Sequence, residues 1–330
     1  MDALSPWTFC VAPMMDGTDR HCRYFHRLLT RRARLYTEMI VADAIVRGDR
    51  ERLLGFDAAE HPVALQIGGS DPRLLGRTAM IGESLGYDEI NLNVGCPSDR
   101  VQSGTFGACL MKTPALVADC VAAMMAAVRI PVTVKCRIGV DDQNPDESLF
   151  SFVETVAAAG CAVFIVHARK AWLQGLSPRE NREIPPLDYE IVRRLKAVRP
   201  DLTIVLNGGL QSVAQAHAES RGLDGVMLGR AAYGEPAILA AVDQVFFDEA
   251  GPPPSLDAVV EAMSAYVKRS ANAGVKPHHI VRHMLGLYHG RAGARGWRRA
   301  LSQKGADAPP TVLDDALAGL AHLYCTRSTA

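Results

Sequence analysis

Short apolar runs of strand length recur along this chain, each followed by a longer stretch of helical character, and that alternation limits the folds open to it. The strand candidates are Phe9–Met14, Leu35–Ile40, Val63–Ile67, Glu89–Val94, Val132–Arg137, Phe164–Ala168, Thr203–Gly208 and Gly225–Arg230. Helical stretches between them include Pro72–Leu85, Pro114–Val128, Asp146–Ala159, Leu187–Arg199 and Ser212–Ser220. Strands that alternate with helices pair in parallel, because a parallel pair needs a long crossover connection. Runs such as VALQI and FIVHA are apolar almost throughout, as expected where helices cover the sheet. Eight such units over roughly 230–250 residues predict a closed (β/α)8 barrel, the TIM barrel. A doubly wound open sheet is the alternative. The segment after the first strand, Ala12 to Asp19, lacks the GxGxxG fingerprint of that fold, which favours the barrel.

The beat stops at Gly251-Pro252-Pro253-Pro254-Ser255. Three prolines in a row cannot continue a helix and form a stiff linker. Beyond them Leu256–Ala273, His278–Gly290, Gly296–Ser302 and Val312–Tyr324 all read as helices. The predicted organisation is an α/β catalytic barrel over 1–250 and a small all-α domain over 251–330.

Lysine plus arginine equals aspartate plus glutamate at 36 each, so any basic surface has to be local. The start of the chain has no basic segment followed by an apolar run, and no apolar stretch approaches the roughly 18 residues of a membrane span. A cytoplasmic protein with no membrane partner is expected. The eight cysteines are scattered, with no CxxC pair, so most are expected to be inert core thiols.

Polar residues gather at the ends of the strands: Gln66; Asn91, Asn93 and Cys96; Lys135 and Arg137; His167; Asn207; Arg230. One polar residue in a strand is usually a satisfied core group. Repetition at one end of six strands is not a packing pattern, and in a TIM barrel that end carries the active site. Glycines after the last two strands (Gly208, Gly209, Gly229) let backbone N–H groups approach a phosphate, with Arg230 as a bidentate partner. That signal alone means only a phosphate-bearing ligand. Lys135 and His167 have few carboxylates to pair with, Glu38 and Glu89 being the candidates, so these groups suit an anion or an electron-rich ring.

From Ala262 to Ala306 the tail holds Lys268, Arg269, Lys276, Arg282, Arg291, Arg295, Arg298, Arg299 and Lys304 and no acidic residue. Trp297 lies among them and is expected to stack on nucleic acid while the cations contact phosphates. His278, His279 and His283 lack the HExxH pattern, and no metal is expected.

The segments VAPMMDGTDRHCR, LQIGGSDP, EINLNVGCPSDRVQSGTFGACLM, VTVKCRIGVDD, VHARKAWLQGLSPRENREIPPLDY, LNGG and GVMLGRAAYGEP follow one another in order. Together they resemble the tRNA-dihydrouridine synthase family, in its A-type bacterial subfamily, over nearly the whole chain. The resemblance implies a TIM barrel holding FMN, a helical tRNA-binding domain, and NADPH-dependent reduction of the uridine C5–C6 bond at positions 20 and 20a of the tRNA D-loop. It implies that Pro13, Met14, Met15, Gln66, Lys135 and His167 border the flavin. Asn207, Gly208, Gly209, Gly229 and Arg230 would hold its phosphate. Asn93 would approach the uridine, and Cys96 would be the catalytic proton donor. Arg182, in the same motif as His167, and Arg295, Arg298 and Arg299 in the tail are assigned to tRNA. A monomer is expected.

The implied reaction needs a hydride at C6, from N5 of reduced FMN, and a proton at C5. A thiol with the ordinary pKa of about 8.5 is mostly protonated near neutrality and can give that proton. Asn93 and Arg137 are the candidate donors to the uracil carbonyl as charge develops. The target base has to be extruded from the folded tRNA to reach such a pocket. Two rivals share parts of this reading: a flavin barrel acting on a free pyrimidine, and a flavin-free aldolase barrel in which Lys135 forms a Schiff base. A third is a non-catalytic tRNA-binding module.

Overall fold

A computed structural model describes residues 5–98, 105–303 and 305–328, with side chains as far as 320. Lys304 and the middle of the GCPSDRVQSGTF segment lie outside the described residues.

The strands are β1 (Phe9–Val11), β2 (Arg34–Tyr36), β3 (Ile40–Val41), β4 (Val63–Gly68), β5 (Glu89–Val94), β6 (Val132–Arg137), β7 (Val163–His167), β8 (Thr203–Asn207) and β9 (Gly225–Leu228). All pairings are parallel. β1 joins β9 on one side and β2 on the other, and β2 also joins β4, so eight strands close into the expected barrel. The two-residue β3 only adds to the upper end of β4. The expected second strand, Leu35–Ile40, is therefore split. The break coincides with a contact from the neighbouring strand: the Gln66 backbone amide donates to the side-chain oxygen of Thr37 (3.0 Å) instead of to a strand carbonyl. Strands β1, β8 and β9 end earlier than the apolar runs predict. Pro13 has no N–H to continue the ladder, and Gly208 and Gly209 turn into the left-handed region at φ +117° and +68°.

Helix starts follow local chemistry. Asp71 accepts from the amides of Arg73 and Leu74, Asn144 from Asp146, and Ser212 from Gln215; proline fills the first turn of Pro72–Ser84, Pro114–Ala127 and Pro145–Ala158. The helix Arg20–Leu29 escaped the sequence reading because its buried face carries Arg23, His26 and Arg27. Arg23 pairs with the buried Glu60 (2.6 Å), and Arg27 donates to the carbonyls of Thr30, Ala33, Glu60 and Pro62.

Successive strand side chains point to opposite faces. On β5 and β6 this sorts the residues cleanly. Ile90, Leu92, Val94, Val132, Val134 and Cys136 pack outward into the core under the helices. Glu89, Asn91, Asn93, Thr133, Lys135 and Arg137 face the lumen, which elsewhere holds a small apolar cluster of Cys10, Tyr36, Ala64, Ile165, Val205 and Met227.

The tail packs on the first barrel helix. Tyr266 stacks on Tyr24 at 4.1 Å, its hydroxyl lies 2.7 Å from His21 Nδ1, and Arg282 and His283 reach Asp19 at 2.8 and 3.0 Å. The expected helix His278–Gly290 is shorter: a helix spans Pro277–Val281, followed by a 3-10 turn at Arg282–Met284. The chain there presses Gly286 against the Gly234 carbonyl so closely that a Cβ would sit 1.9 Å from it. Trp297 corrects a second expectation. It is 1% exposed, donates from Nε1 to the Met284 carbonyl (2.8 Å), and meets Tyr288 edge-on, so it cannot stack on a base. Its role is packing: Trp297→Ala is expected to cost about 3–5 kcal/mol, read as a lower urea midpoint.

Candidate active site

The C-terminal ends of the strands surround a cavity of about 1100 Å³. It is lined by Pro13, Met14 and Met15 after β1, Gln66 on β4, Asn93 and Cys96 on and after β5, and Lys135 and Arg137 on β6. His167 on β7, Arg182 in the following loop, Asn207, Gly208 and Gly209 on and after β8, and Gly229 and Arg230 after β9 complete it. The fold thus brings together all of these barrel residues; Asn91, which the sequence also singled out, does not line the cavity and is buried between Gln66 and Thr133. Arg295, Arg298 and Arg299 lie elsewhere, exposed on the helix Ala294–Ser302.

The floor of the cavity is cationic. Lys135 donates to Asn207 Oδ1 (2.8 Å), and Asn207 in turn donates to the Met227 carbonyl (2.8 Å). Burial, with the Arg137 charge beside it, pulls the Lys135 ammonium down to about 7. Burial and the neighbouring Arg137 and Lys135 hold His167 well below its ordinary value, so its ring is neutral. Burial also lowers Arg137, to about 10. Among the described residues no carboxylate pairs with Lys135, Arg137 or His167. Glu38 instead accepts from the Gly17 amide (3.1 Å), and Glu89 is committed deeper in the barrel. Arg169 Nε, at the same mouth, is buried with no hydrogen-bond partner among the described residues. Such an array is stable only at a cost that an anionic ligand would relieve.

At Gly208 and Gly209 the chain needs both their positive φ and their lack of a Cβ, which would come within 2.7 Å of the His167 ring and 2.4 Å of Leu187. Arg230 beside them already pairs with Glu183 (2.6 Å), a cavity residue that the sequence reading passed over.

Cys96 stands on a pinned turn. Asn93 Oδ1 accepts from the amides of Gly95 (3.1 Å) and Cys96 (2.9 Å), Arg137 Nε donates to the Gly95 carbonyl (3.1 Å), and the Ala108 amide to that of Cys96 (2.9 Å). Arg137 Nη1 is also engaged, by the Lys170 and Asn181 carbonyls at 3.2 and 3.0 Å. Its first task is therefore to hold the loops around the thiol. The Cys96 sulfur lies 3.5 Å from Ser98 Oγ at the cavity wall. Cys10, Cys22, Cys120, Cys136 and Cys161 are buried, and burial pushes the thiols of Cys136 and Cys161 up to about 12. These are the inert thiols expected.

The basic tail is less free than its composition suggests. Lys268 pairs with Asp314, Arg269 with Asp57 and Arg282 with Asp19, acids from before and after the acid-free interval. His283 turns inward to Asp19 and Tyr233, away from His278 and His279. Arg295, Arg298 and Arg299 have no ion pair among the described residues and share one helix face by their spacing, opposite buried Trp297 and Leu301.

The lowered Lys135 value carries a sign. Between about pH 7 and the usual lysine range the unfolded chain holds a proton that the folded chain has released, so this group's contribution to stability rises with pH. In ligand-free protein, the stability difference between wild type and Lys135→Met is expected to shift towards wild type as pH rises from about 7 to about 10. A difference that is flat with pH in chemical denaturation would rule this out.

A family model described as dihydrouridine synthase (Dus) matches residues 10–316. A protein of Xanthomonas campestris pv. campestris named tRNA-dihydrouridine(20/20a) synthase is 57% identical over 300 residues, which are 91% of this chain and 88% of its own. Proteins of the same name from Escherichia coli K12 and Salmonella typhimurium are 56% and 55% identical over 312 and 318 residues. Those matches cover 94% and 96% of this chain and 90% and 96% of the relatives. With agreement over this length, in a closed barrel whose mouth gathers the motif residues, the chain belongs to the dihydrouridine synthase family.

Proposed function

We propose that this protein reduces uridine to 5,6-dihydrouridine at positions 20 and 20a of the tRNA D-loop, with FMN as resident cofactor and NADPH as reductant. The observation that carries the reading is a buried cationic floor, free of paired carboxylates, facing a thiol on a pinned turn. Family membership and the relatives' shared name support the same reaction.

The residues present fit a flavin nucleotide. Lys135 and the unpartnered Arg169 Nε offer donors without a carboxylate to neutralise them. A side chain at Gly208 would run into the His167 ring and one at Gly209 into Leu187, so glycine keeps this part of the cavity wall open. In this reading Pro13, Met14 and Met15 would line the flavin, Gln66 and Lys135 would contact its ring system, and His167 would border it. Asn207, Gly208, Gly209, Gly229 and Arg230 hold the phosphate. When bound and reduced, FMN supplies the hydride that reaches C6 of the uracil. Cys96 keeps its proton until then and gives it to C5, where electron density collects. Asn93, whose Nδ2 spends one N–H on Gln66 Oε1 (2.8 Å), has a second for the uracil carbonyl. Arg137 has Nη2 left for the same purpose.

The target base leaves its tRNA stack to enter the cavity. Residues 1–250 form the catalytic barrel and 251–330 a helical tRNA-binding domain. In that arrangement Arg182 meets RNA at the mouth, and Arg295, Arg298 and Arg299 meet phosphates of the elbow. The protein acts as a cytoplasmic monomer, and among the described residues no helix is long and apolar enough to cross a membrane.

Dihydrouridine mapping in tRNA from a deletion strain tests the reading. The wild-type gene is expected to restore dihydrouridine at 20 and 20a, and Cys96→Ala to reduce the single-turnover rate by about 10²-fold or more. Undiminished dihydrouridine formation by Cys96→Ala would overturn the assignment of the acid, and failure of the wild-type gene to restore either position would overturn the function. Replacing Arg295, Arg298 and Arg299 by alanine is expected to weaken tRNA binding. It should also flatten the dependence of log affinity on log salt by about two to three units; an unchanged slope would place the RNA on another surface.

A further inference from the structure

We propose that Glu89 and Thr133, neither of which lines the cavity, are positioning residues that dictate from within the barrel which way the amides of Gln66 and Asn93 face at its mouth. The consequence for uridine reduction rests on the function proposed above; the orientation itself does not.

Glu89 is fully buried. Its Oε1 accepts from the hydroxyls of Tyr36 (2.8 Å) and Thr133 (2.5 Å), and its Oε2 from Trp7 Nε1 (2.7 Å), with Arg34 Nη1 3.3 Å away. Facing three hydrogen-bond donors and the Arg34 guanidinium, this carboxylate acts only as an acceptor. The Thr133 hydrogen is therefore committed to it, and the Thr133 oxygen is left to accept from Asn91 Nδ2 (2.7 Å). Asn91 must then present Oδ1 upward, where it accepts from Gln66 Nε2 (2.7 Å). Gln66 Oε1 accepts from Asn93 Nδ2 (2.8 Å), and Asn93 Oδ1 from the amides of Gly95 (3.1 Å) and Cys96 (2.9 Å).

Every donor in this relay points towards Glu89. The shape of an amide does not distinguish its oxygen from its nitrogen; only its partners do. Here the two ends allow a single answer, with an acceptor below and backbone donors above. Reversing any one amide sets donor against donor or acceptor against acceptor at buried positions, and the conflict passes along the relay. What remains at the mouth is one N–H each from Gln66 and Asn93, aimed into the cavity, and an Asn93 oxygen that holds the Cys96 turn. In the proposed reaction these face the flavin edge and the uracil.

Thr133 separates this role from packing, because its methyl and hydroxyl can be removed singly. Thr133→Val keeps the shape and cuts the relay; Thr133→Ser keeps the hydroxyl and loses a buried methyl. The orientation is expected to show in the ligand-free protein, as side-chain amide 15N–1H shifts of Gln66 and Asn93 that move in Thr133→Val and stay in Thr133→Ser. With FMN and tRNA, Thr133→Val is expected to change the flavin absorption spectrum and to slow single-turnover uridine reduction about tenfold or more. Thr133→Ser is expected to stay within about twofold of wild type while melting at a lower temperature. The opposite order, Val like wild type and Ser impaired, would make Thr133 a packing residue and overturn the proposal, as would two variants with unchanged amide shifts. If Thr133→Val does not fold, Asn91→Leu cuts the relay one step higher with the same expected losses. A wild-type protein that forms no dihydrouridine would refute the proposed function alone, since the amide shifts read the relay without ligand.

Discussion

The ladder between β1 and β9, with Phe9 opposite Val226 and Val11 opposite Leu228, and the bridge from β2 to β4 leave the eight-stranded sheet without an edge. A closed sheet has an inside, and each strand must send every second side chain into it. In a barrel serving only as a core those positions would be apolar. Here the lower lumen holds Cys10, Ile165, Val205 and Met227, while β5 and β6 contribute Glu89, Asn91, Asn93, Thr133, Lys135 and Arg137. The polar groups are tolerated because closure places them opposite one another, and nearly all find partners across the ladder. Deep in the barrel Arg34 Nη1 has only its ion pair with Glu89; at the mouth Lys135 and Arg137 have no carboxylate, and Arg169 Nε has no hydrogen-bond partner among the described residues.

Charge is divided by depth. Glu89, well down the barrel, is met by Arg34, Tyr36, Trp7 and Thr133. At the mouth Lys135, Arg137 and His167 are adjacent cations or potential cations, and burial depresses all three. The unfavourable end of the barrel is thus the end that is open to a ligand. That is where binding energy can be recovered, and it is the end from which the proposed reaction would draw its electrostatic stabilisation. The Cys96 turn joins the two depths. Asn93 below and Arg137 beside it fix its backbone, so the thiol sits where the relay and the cationic floor meet.

The helical tail is tied to the barrel by aromatic and ionic contacts with the first βα unit: Tyr266 on Tyr24, and Arg282 and His283 on Asp19. Tyr233, which lines the cavity, also contacts His283. A surface carried by the tail is therefore held at a set position relative to the mouth, which a folded RNA spanning both would require. Pairing of Lys268, Arg269 and Arg282 with acids leaves Lys276, Arg291, Arg295, Arg298 and Arg299 as exposed tail cations with no ion pair among the described residues.

Much of this was legible in the chain itself. The alternation of strand and helix is a local signal, and so are helix caps such as Asp71 and the glycines after β8, which is why the barrel and the residues at its mouth could be named from sequence. The split of the second strand, the helix Arg20–Leu29 with its buried arginines, and the burial of Trp297 were not legible, because each depends on a partner distant in sequence: Gln66 for Thr37, Glu60 for Arg23, Met284 for Trp297. The polar relay lies between these cases. EINLNV and VTVKCR show a period-2 alternation of polar and apolar residues, a local sign that one face of a buried strand is polar. Sequence alone therefore determined which residues point into the barrel. Only the tertiary structure decided which hydrogen bonds join them and in which direction each amide faces, because that depends on the register between strands and on a carboxylate whose partners Trp7, Arg34, Tyr36 and Thr133 come from three different segments of the chain.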